Sequence, residues 1–336
     1  MFKRIIAACA VLVGGAVVGP QAHAQTCGPV TIADMNWSSA SLIAHVDAFI
    51  LRHAFECDTS LVTGDTMPTG TSMVEKGAPD IAPEFWSSNF KAALAQGIEE
   101  KRLSDAGTVF FEGGDEGFWV PKYMVDAKPE LATIAGVKAN AALFVNDEDP
   151  DRSAFVGCPA GWGCQLAVNN LFVALDMDQA GFDVIDPGSG AALAGSIARA
   201  YEREKPWFGY YWSPTPVLGR YDMVKVDFGS GVDADHFYGC LATEDCANPK
   251  VSMFPPSPVK TLTTYDFAQR APAAYAYLQA RNYKNADMSR LLAWMEDEQA
   301  DGEIAMAHFL TEYAGVWQAW LTETQVEKVA SALESL

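Results

Sequence analysis

The chain has 336 residues, with 23 Lys and Arg against 43 Asp and Glu, for a formal charge of -20. That sign excludes nucleic acid as a partner, because phosphate recognition needs a surplus of basic side chains, and the acidity reads as a solvated surface. The length suffices for one large or two medium cores and predicts two lobes, with no internal repeat and no low-complexity segment.

Residues 1–24 have the pattern of a secretory signal. Lys3 and Arg4 precede an apolar run from Ile5 to Val18, and Ala22-His23-Ala24 is a small-x-small cleavage site. The apolar run is too short to span a bilayer comfortably, and Cys9 sits early in it, whereas a lipid-anchored cysteine would follow it. The expectation is a soluble exported protein that begins at Gln25, periplasmic in a cell with two membranes. Six cysteines then remain for an oxidising compartment, and their positions suggest neighbour pairs: Cys27 with Cys57, Cys158 with Cys164, and Cys240 with Cys246. None is left over as a nucleophile.

In chain order, Val30 to Ala33 predicts a strand that leads to Asn36-Trp37. Leu42, Ile43, Val46, Phe49 and Ile50 then recur at helical spacing, with Ser38 or Ser39 placed to cap. Trp37 therefore stands at the carboxyl end of a strand, where open α/β sheets bind ligands. The segment from Pro79 to Trp86 repeats this design, with a helix expected from Asn89 to about Arg102. Glycines in Glu112–Gly117 and in Phe228–Gly231 mark two expected hinge crossings between lobes, since glycine absorbs φ/ψ change most easily. On this reading the first lobe is 25–115 with 232–336 and the second is 116–231. The second holds a helix near Ala191–Arg203 and a strand near Met223–Asp227.

Asp147, Asp149 and Asp151 alternate before the middle of the chain with the spacing of a calcium loop, and a structural Ca²⁺ that stiffens this loop is the one metal the sequence suggests. The glycine turn and distal glutamate of an EF-hand are missing. Next comes Gly157 to Cys164, in which two cysteines and three glycines mount Trp162 as in a clamp. The aromatic run Lys205–Pro216 follows. On a strand there, Tyr210 and Trp212 share one face, and Trp212 stands at the exit. After Cys246, a connector from Phe254 to Pro258 leads into amphipathic helices from about Phe267 to Leu333, with Trp294, Trp317 and Trp320 read as core.

These motifs together resemble the substrate-binding proteins of ABC importers for glycine betaine, choline and related methylated amines. The resemblance is most specific in Gly161-Trp162-Gly163-Cys164 and in Trp207 to Pro216, with Asn36-Trp37 and Glu84-Phe85-Trp86 in support. It implies an α/β, two-lobed periplasmic binding protein fold of the type II kind, with the ligand cleft between lobes. It also implies a monomer that delivers to an ABC permease in the inner membrane and requires no cofactor. Trp37, Trp86, Trp162 and Trp212 would box the ligand head. The chemistry agrees: a trimethylated nitrogen has no N–H to donate and spreads its charge over methyl groups, so indole faces recognise it better than a lone carboxylate does.

Glu116 is the fifth expected site residue. It would repel the carboxylate of glycine betaine, but could pair with a cation, bond a choline hydroxyl, or donate to an N-oxide oxygen if burial kept it protonated. This tilts the expectation to trimethylamine N-oxide, in the manner of the members that bind it, with choline and glycine betaine as alternatives. An enzyme is not expected. The five histidines have no zinc spacing, and neither a Gly-x-Ser-x-Gly nor a phosphate-cradling loop is present. The rival class is an exported carbohydrate-active enzyme or sugar-binding module built on Asp115 and Glu116, since tryptophans often line sugar sites.

Overall fold

The computed structural model describes residues 27–336. The expected signal, with Cys9 and His23, lies outside the described residues. Two five-stranded sheets organise the rest. The first contains β1 (Pro29–Met35), β2 (Asp58–Gly64), β3 (Ile81–Trp86), β4 (Leu103–Thr108) and β10 (Val259–Thr264), in the order β2-β1-β3-β10-β4. The second contains β5 (Asp115–Pro121), β6 (Ser153–Val156), β7 (Phe182–Ile185), β8 (Gly209–Ser213) and β9 (Met223–Lys225), in the order β7-β6-β8-β5-β9. Each sheet has parallel strands joined through helices and one antiparallel intruder, β10 in the first and β5 in the second. Both intruders are the first strand after the chain changes lobe.

The two crossings run side by side. Gly114 and Ser257 exchange both backbone hydrogen bonds, each at 2.9 Å. The return crossing is therefore the connector Pro255–Pro258 and not Phe228–Gly231. The boundary expected at residue 232 moves accordingly: the segment 232–253 packs on the second lobe, where Asn170 Nδ2 donates to the carbonyls of Leu241 and Thr243, both at 2.9 Å. Phe237 and Phe254 meet there at 5.3 Å, their rings tilted by 57°, within the cluster around Phe118, Phe155 and Phe208.

In the first lobe, the helix Ser38–Phe55 buries Leu42, Ile43, Val46, Phe49 and Ile50, as its periodicity predicts. Its N-cap is Trp37, and no side chain caps it. Neither serine takes that role; the Ser39 hydroxyl turns instead to a buried carboxylate on β3. Val109 and Phe110 are buried in the first crossing and do not extend a strand. Trp317 is core, Trp294 stacks on His308 at 3.6 Å, and Trp320 packs edge-on to Tyr283.

All three neighbour disulfides are formed: Cys27–Cys57, Cys158–Cys164 and Cys240–Cys246. The acidic loop does not build the expected cage. Among the described residues no three His, Cys, Asp or Glu stand close enough to hold an ion, so Asp147, Asp149 and Asp151 do not converge. The loop winds through two Asx turns instead. Asn146 Oδ1 accepts from the Glu148 amide, and Asp149 Oδ1 accepts from the Asp151 amide. Among the described residues no helix is long and apolar enough to cross a membrane.

Candidate functional site

A narrow cavity of about 20 Å³, room for little more than one water molecule, lies between the lobes. Trp37, Thr66, Trp86, Ser88 and Asn89 line it from the first lobe, and Glu116, Trp162, Gly163, Cys164, Tyr210 and Trp212 from the second. All five residues expected to contact ligand thus face one space.

Local sequence explains each placement. Trp37 ends the run out of β1 in an extended conformation and begins the helix behind it. Trp86 is the last residue of β3. Trp162 rides on the loop closed by Cys158 and Cys164, where Gly161 has φ +86°, a conformation an L side chain rarely adopts. Trp212 sits on β8 directly opposite Glu116 on β5.

The rings meet as walls. Trp162 lies 5.0 Å from Trp37 at 66° and 5.0 Å from Trp212 at 80°, so three successive indole planes are close to perpendicular. Edge-to-face contact of this kind suits the ring quadrupoles. Glycine makes two of these placements possible. A Cβ on Gly190 would stand 2.9 Å from the Trp162 ring, and one on Gly114 would stand 2.1 Å from Trp86.

Gly114→Ala should therefore push Trp86 out of place. Overpacking of this kind costs about 1–3 kcal/mol, and with the ring at the cavity wall the expected result is about a tenfold loss of ligand affinity. Calorimetric titration against the parent protein checks it; equal affinity would mean that the ring yields without consequence.

The polar ends of the indoles are also held. Trp37 Nε1–H donates to Glu84 Oε1 at 2.7 Å, and Trp86 Nε1–H donates to the same oxygen at 2.9 Å. Trp162 Nε1–H reaches across the cleft to Asn36 Oδ1 at 2.6 Å. The sequence reading gave no role of their own to Glu84, Asn36 or Asn89. A signal for Glu84 was present, because residues two apart on a strand share a face and Glu84 precedes Trp86 by two. Nothing local pointed to Asn36, whose partner is 126 residues away.

Glu116 is 3% exposed. Tyr210 OH donates to its Oε1 at 2.7 Å, and Ser257 Oγ–H donates to its Oε2. Burial pushes this carboxyl above its ordinary range, and the two hydroxyls and the more distant Lys225 only partly oppose the push. Ser257 belongs to the return crossing, so the carboxyl touches both the cavity and the hinge. No Lys or Arg is among the residues lining the cavity.

Residues 28–312 match the family model described as the substrate binding domain of ABC-type glycine betaine transport systems. A glycine betaine/proline betaine-binding periplasmic protein of Escherichia coli is 26% identical over 203 residues, a match covering 58% of this chain and 59% of that protein's length. A trimethylamine N-oxide-binding protein of Pelagibacter ubique is 22% identical over 321 residues, covering 94% of this chain and 98% of the other. Among solved structures, an ABC-transporter choline-binding protein in complex with choline superposes with a TM-score of 0.71 at 17% identity, over 91% of this chain and 98% of that one. A lactococcal protein complexed with glycine betaine gives 0.63 at 18% identity, over 88% and 100%. At such identities the structural likeness establishes the two-lobed fold.

Proposed function

Because the chain belongs to the family of substrate-binding domains of ABC-type glycine betaine transport systems, which are transport proteins and not enzymes, we propose that it captures trimethylamine N-oxide in the periplasm and presents it to an inner-membrane permease. Ligand would enter between open lobes, and closure would bring the indoles of both lobes around the methyl groups. At about 1–2 kcal/mol per desolvated ring, four rings contribute about 4–8 kcal/mol. Micromolar binding needs about 8 kcal/mol, so a polar contact has to add to them.

The observation that carries the choice of ligand is Glu116: a buried carboxyl on the cavity wall, beside Trp212, with no lining cation to receive a ligand carboxylate. Protonated, it donates to the N-oxide oxygen. A second reading, choline, is favoured by Asn89, whose Oδ1 is buried on the cavity wall and has no partner among the described residues. That oxygen would accept from a ligand hydroxyl.

The sign of the pH dependence separates the two. With its pKa raised by burial, Glu116 holds its proton below that raised value and loses it as pH rises through it. Affinity for an N-oxide that accepts this proton is full on the acid side and falls as pH rises. Affinity for choline, whose cation pairs with the carboxylate, rises instead. Glu116→Gln should flatten both profiles, keep trimethylamine N-oxide within about threefold and weaken choline about tenfold, the charge-assisted share of one contact. Parallel calorimetric titrations with trimethylamine N-oxide, choline and glycine betaine over a pH series test this. An N-oxide affinity that climbs with pH would reject it.

A further inference from the structure

Glu84 is fully buried on β3 and is not among the residues lining the cavity, yet two of the four indoles hang from one of its oxygens. Oε1 accepts from Trp37 at 2.7 Å, from Trp86 at 2.9 Å and from the Ser39 hydroxyl at 3.0 Å. These donors come from the end of a strand, the turn out of another strand and the first turn of a helix, all within the first lobe.

A bland role as one half of a buried ion pair does not account for this residue. The buried cation of that lobe, Arg281, pairs with Asp47, its Nε 2.9 Å from Oδ1, and donates from Nη2 to the Pro83 carbonyl and to Thr261 Oγ1; its charge reaches Glu84 and favours the carboxylate, but only from beyond ion-pair distance. What Glu84 holds is rings. An indole kept only by apolar contact can swing about its side-chain torsions, whereas one whose N–H is fixed to a charged or polar acceptor loses that freedom.

We propose that Glu84 is a positioning residue of the ligand box, fixing Trp37 and Trp86 at their working angles before ligand or the second lobe arrives. The second lobe is arranged differently. Trp162 finds its acceptor, Asn36, only across the cleft, so that ring is fixed when the lobes meet. One half of the box is thus set in advance and the other is set by closure. The inference rests on reading the cavity as the ligand site, but the state of the rings is measurable without ligand.

The test uses the full mature chain labelled with ¹⁵N. In ligand-free protein, the indole N–H signals of Trp37 and Trp86, assigned by their loss in Trp37→Phe and Trp86→Phe, should shift and exchange about tenfold faster in Glu84→Ala, the consequence of one lost hydrogen bond each. They should stay near their parent positions in Glu84→Gln, whose amide oxygen still accepts. Trimethylamine N-oxide affinity should fall about thirtyfold in Glu84→Ala and less than about fivefold in Glu84→Gln. If the alanine variant does not fold, Glu84→Met fills the space without an acceptor and takes its place. Indole signals that do not move, affinity within threefold of the parent, or a glutamine variant as impaired as the alanine one would each overturn the proposal. Should the parent chain bind no methylated amine at all, the ligand reading fails, while the indole signals still decide whether Glu84 holds the rings.

Discussion

Trp162→Ala should weaken ligand binding by about a hundredfold and leave the fold intact. The ring makes contact on two sides, at 5.0 Å from both Trp37 and Trp212, and its N–H closes a hydrogen bond from one lobe to the other at 2.6 Å. Losing one desolvated cation–π wall costs about 1–2 kcal/mol, and losing a hydrogen bond adds about 1 kcal/mol. The sum, about 2–3 kcal/mol, is about one and a half to two decades of affinity at about 1.4 kcal/mol each.

The fold should survive because the ring sits between the lobes, on a loop that Cys158–Cys164 closes independently. Trp207→Ala supplies the contrast. Trp207 is equally buried and belongs to the same aromatic run as Trp212, but its N–H goes to Ser196 Oγ at 2.9 Å inside the second lobe, away from the cavity. That truncation should cost about 3–5 kcal/mol of stability, as large aromatic deletions do, with affinity changed little in whatever protein remains folded. Calorimetry and urea unfolding on both variants give the comparison. A Trp162→Ala protein that binds as tightly as the parent would remove the basis for calling the cavity an aromatic box.

Why these four tryptophans could be picked out before any coordinates is a matter of distance along the chain. Each stands within a few residues of a strand end or a turn that the hydrophobic pattern already marks, so its position relative to the sheet is a local property. The residues that steady the rings are not local. Glu84 serves Trp37 from 47 residues away, and Asn36 serves Trp162 from 126; no periodicity in one segment carries that information.

The second crossing is not legible in the glycine pattern for a different reason. Gly229 and Gly231 do have positive φ, near +77° and +65°, but they turn the chain on the surface of the second lobe. There the Gly229 amide donates to Asp227 Oδ1, and the Gly231 carbonyl accepts from Met253. The chain changes lobe on extended prolines, paired to Gly114 through Ser257. Conformational freedom is needed somewhere in a hinge, and here glycine supplies it on one strand of the crossing only.

An equally large loss of stability is expected at Arg281, which together with Asp47 is wholly without solvent. Nothing in the hydropathy pattern of the tail betrays a buried guanidinium. It bonds Asp47, Thr261 and the Pro83 carbonyl, tying the helix Ser38–Phe55, the bulged strand β10 and β3 together, and Tyr277 OH adds a bond to Asp47 at 2.7 Å. Arg281→Met leaves the carboxylate buried with no cation, a change that costs about 3–5 kcal/mol.

Acid should soften the loss. Burial already pushes Asp47 above its ordinary range and Arg281 opposes that push, so without the arginine the folded pKa rises further above the unfolded value. A group shifted in this direction has its full stability below the unfolded pKa and loses it as pH rises through the folded one. The gap between variant and parent should therefore be widest at neutral pH and narrow on acidification. The double variant Asp47→Leu with Arg281→Met, which leaves neither charge behind, should recover most of the loss even at neutral pH. Urea unfolding of the four proteins at several pH values completes the cycle. A single variant within about 1 kcal/mol of the parent would mean that the pair contributes little net stability, as an ion pair solvated through bound water would.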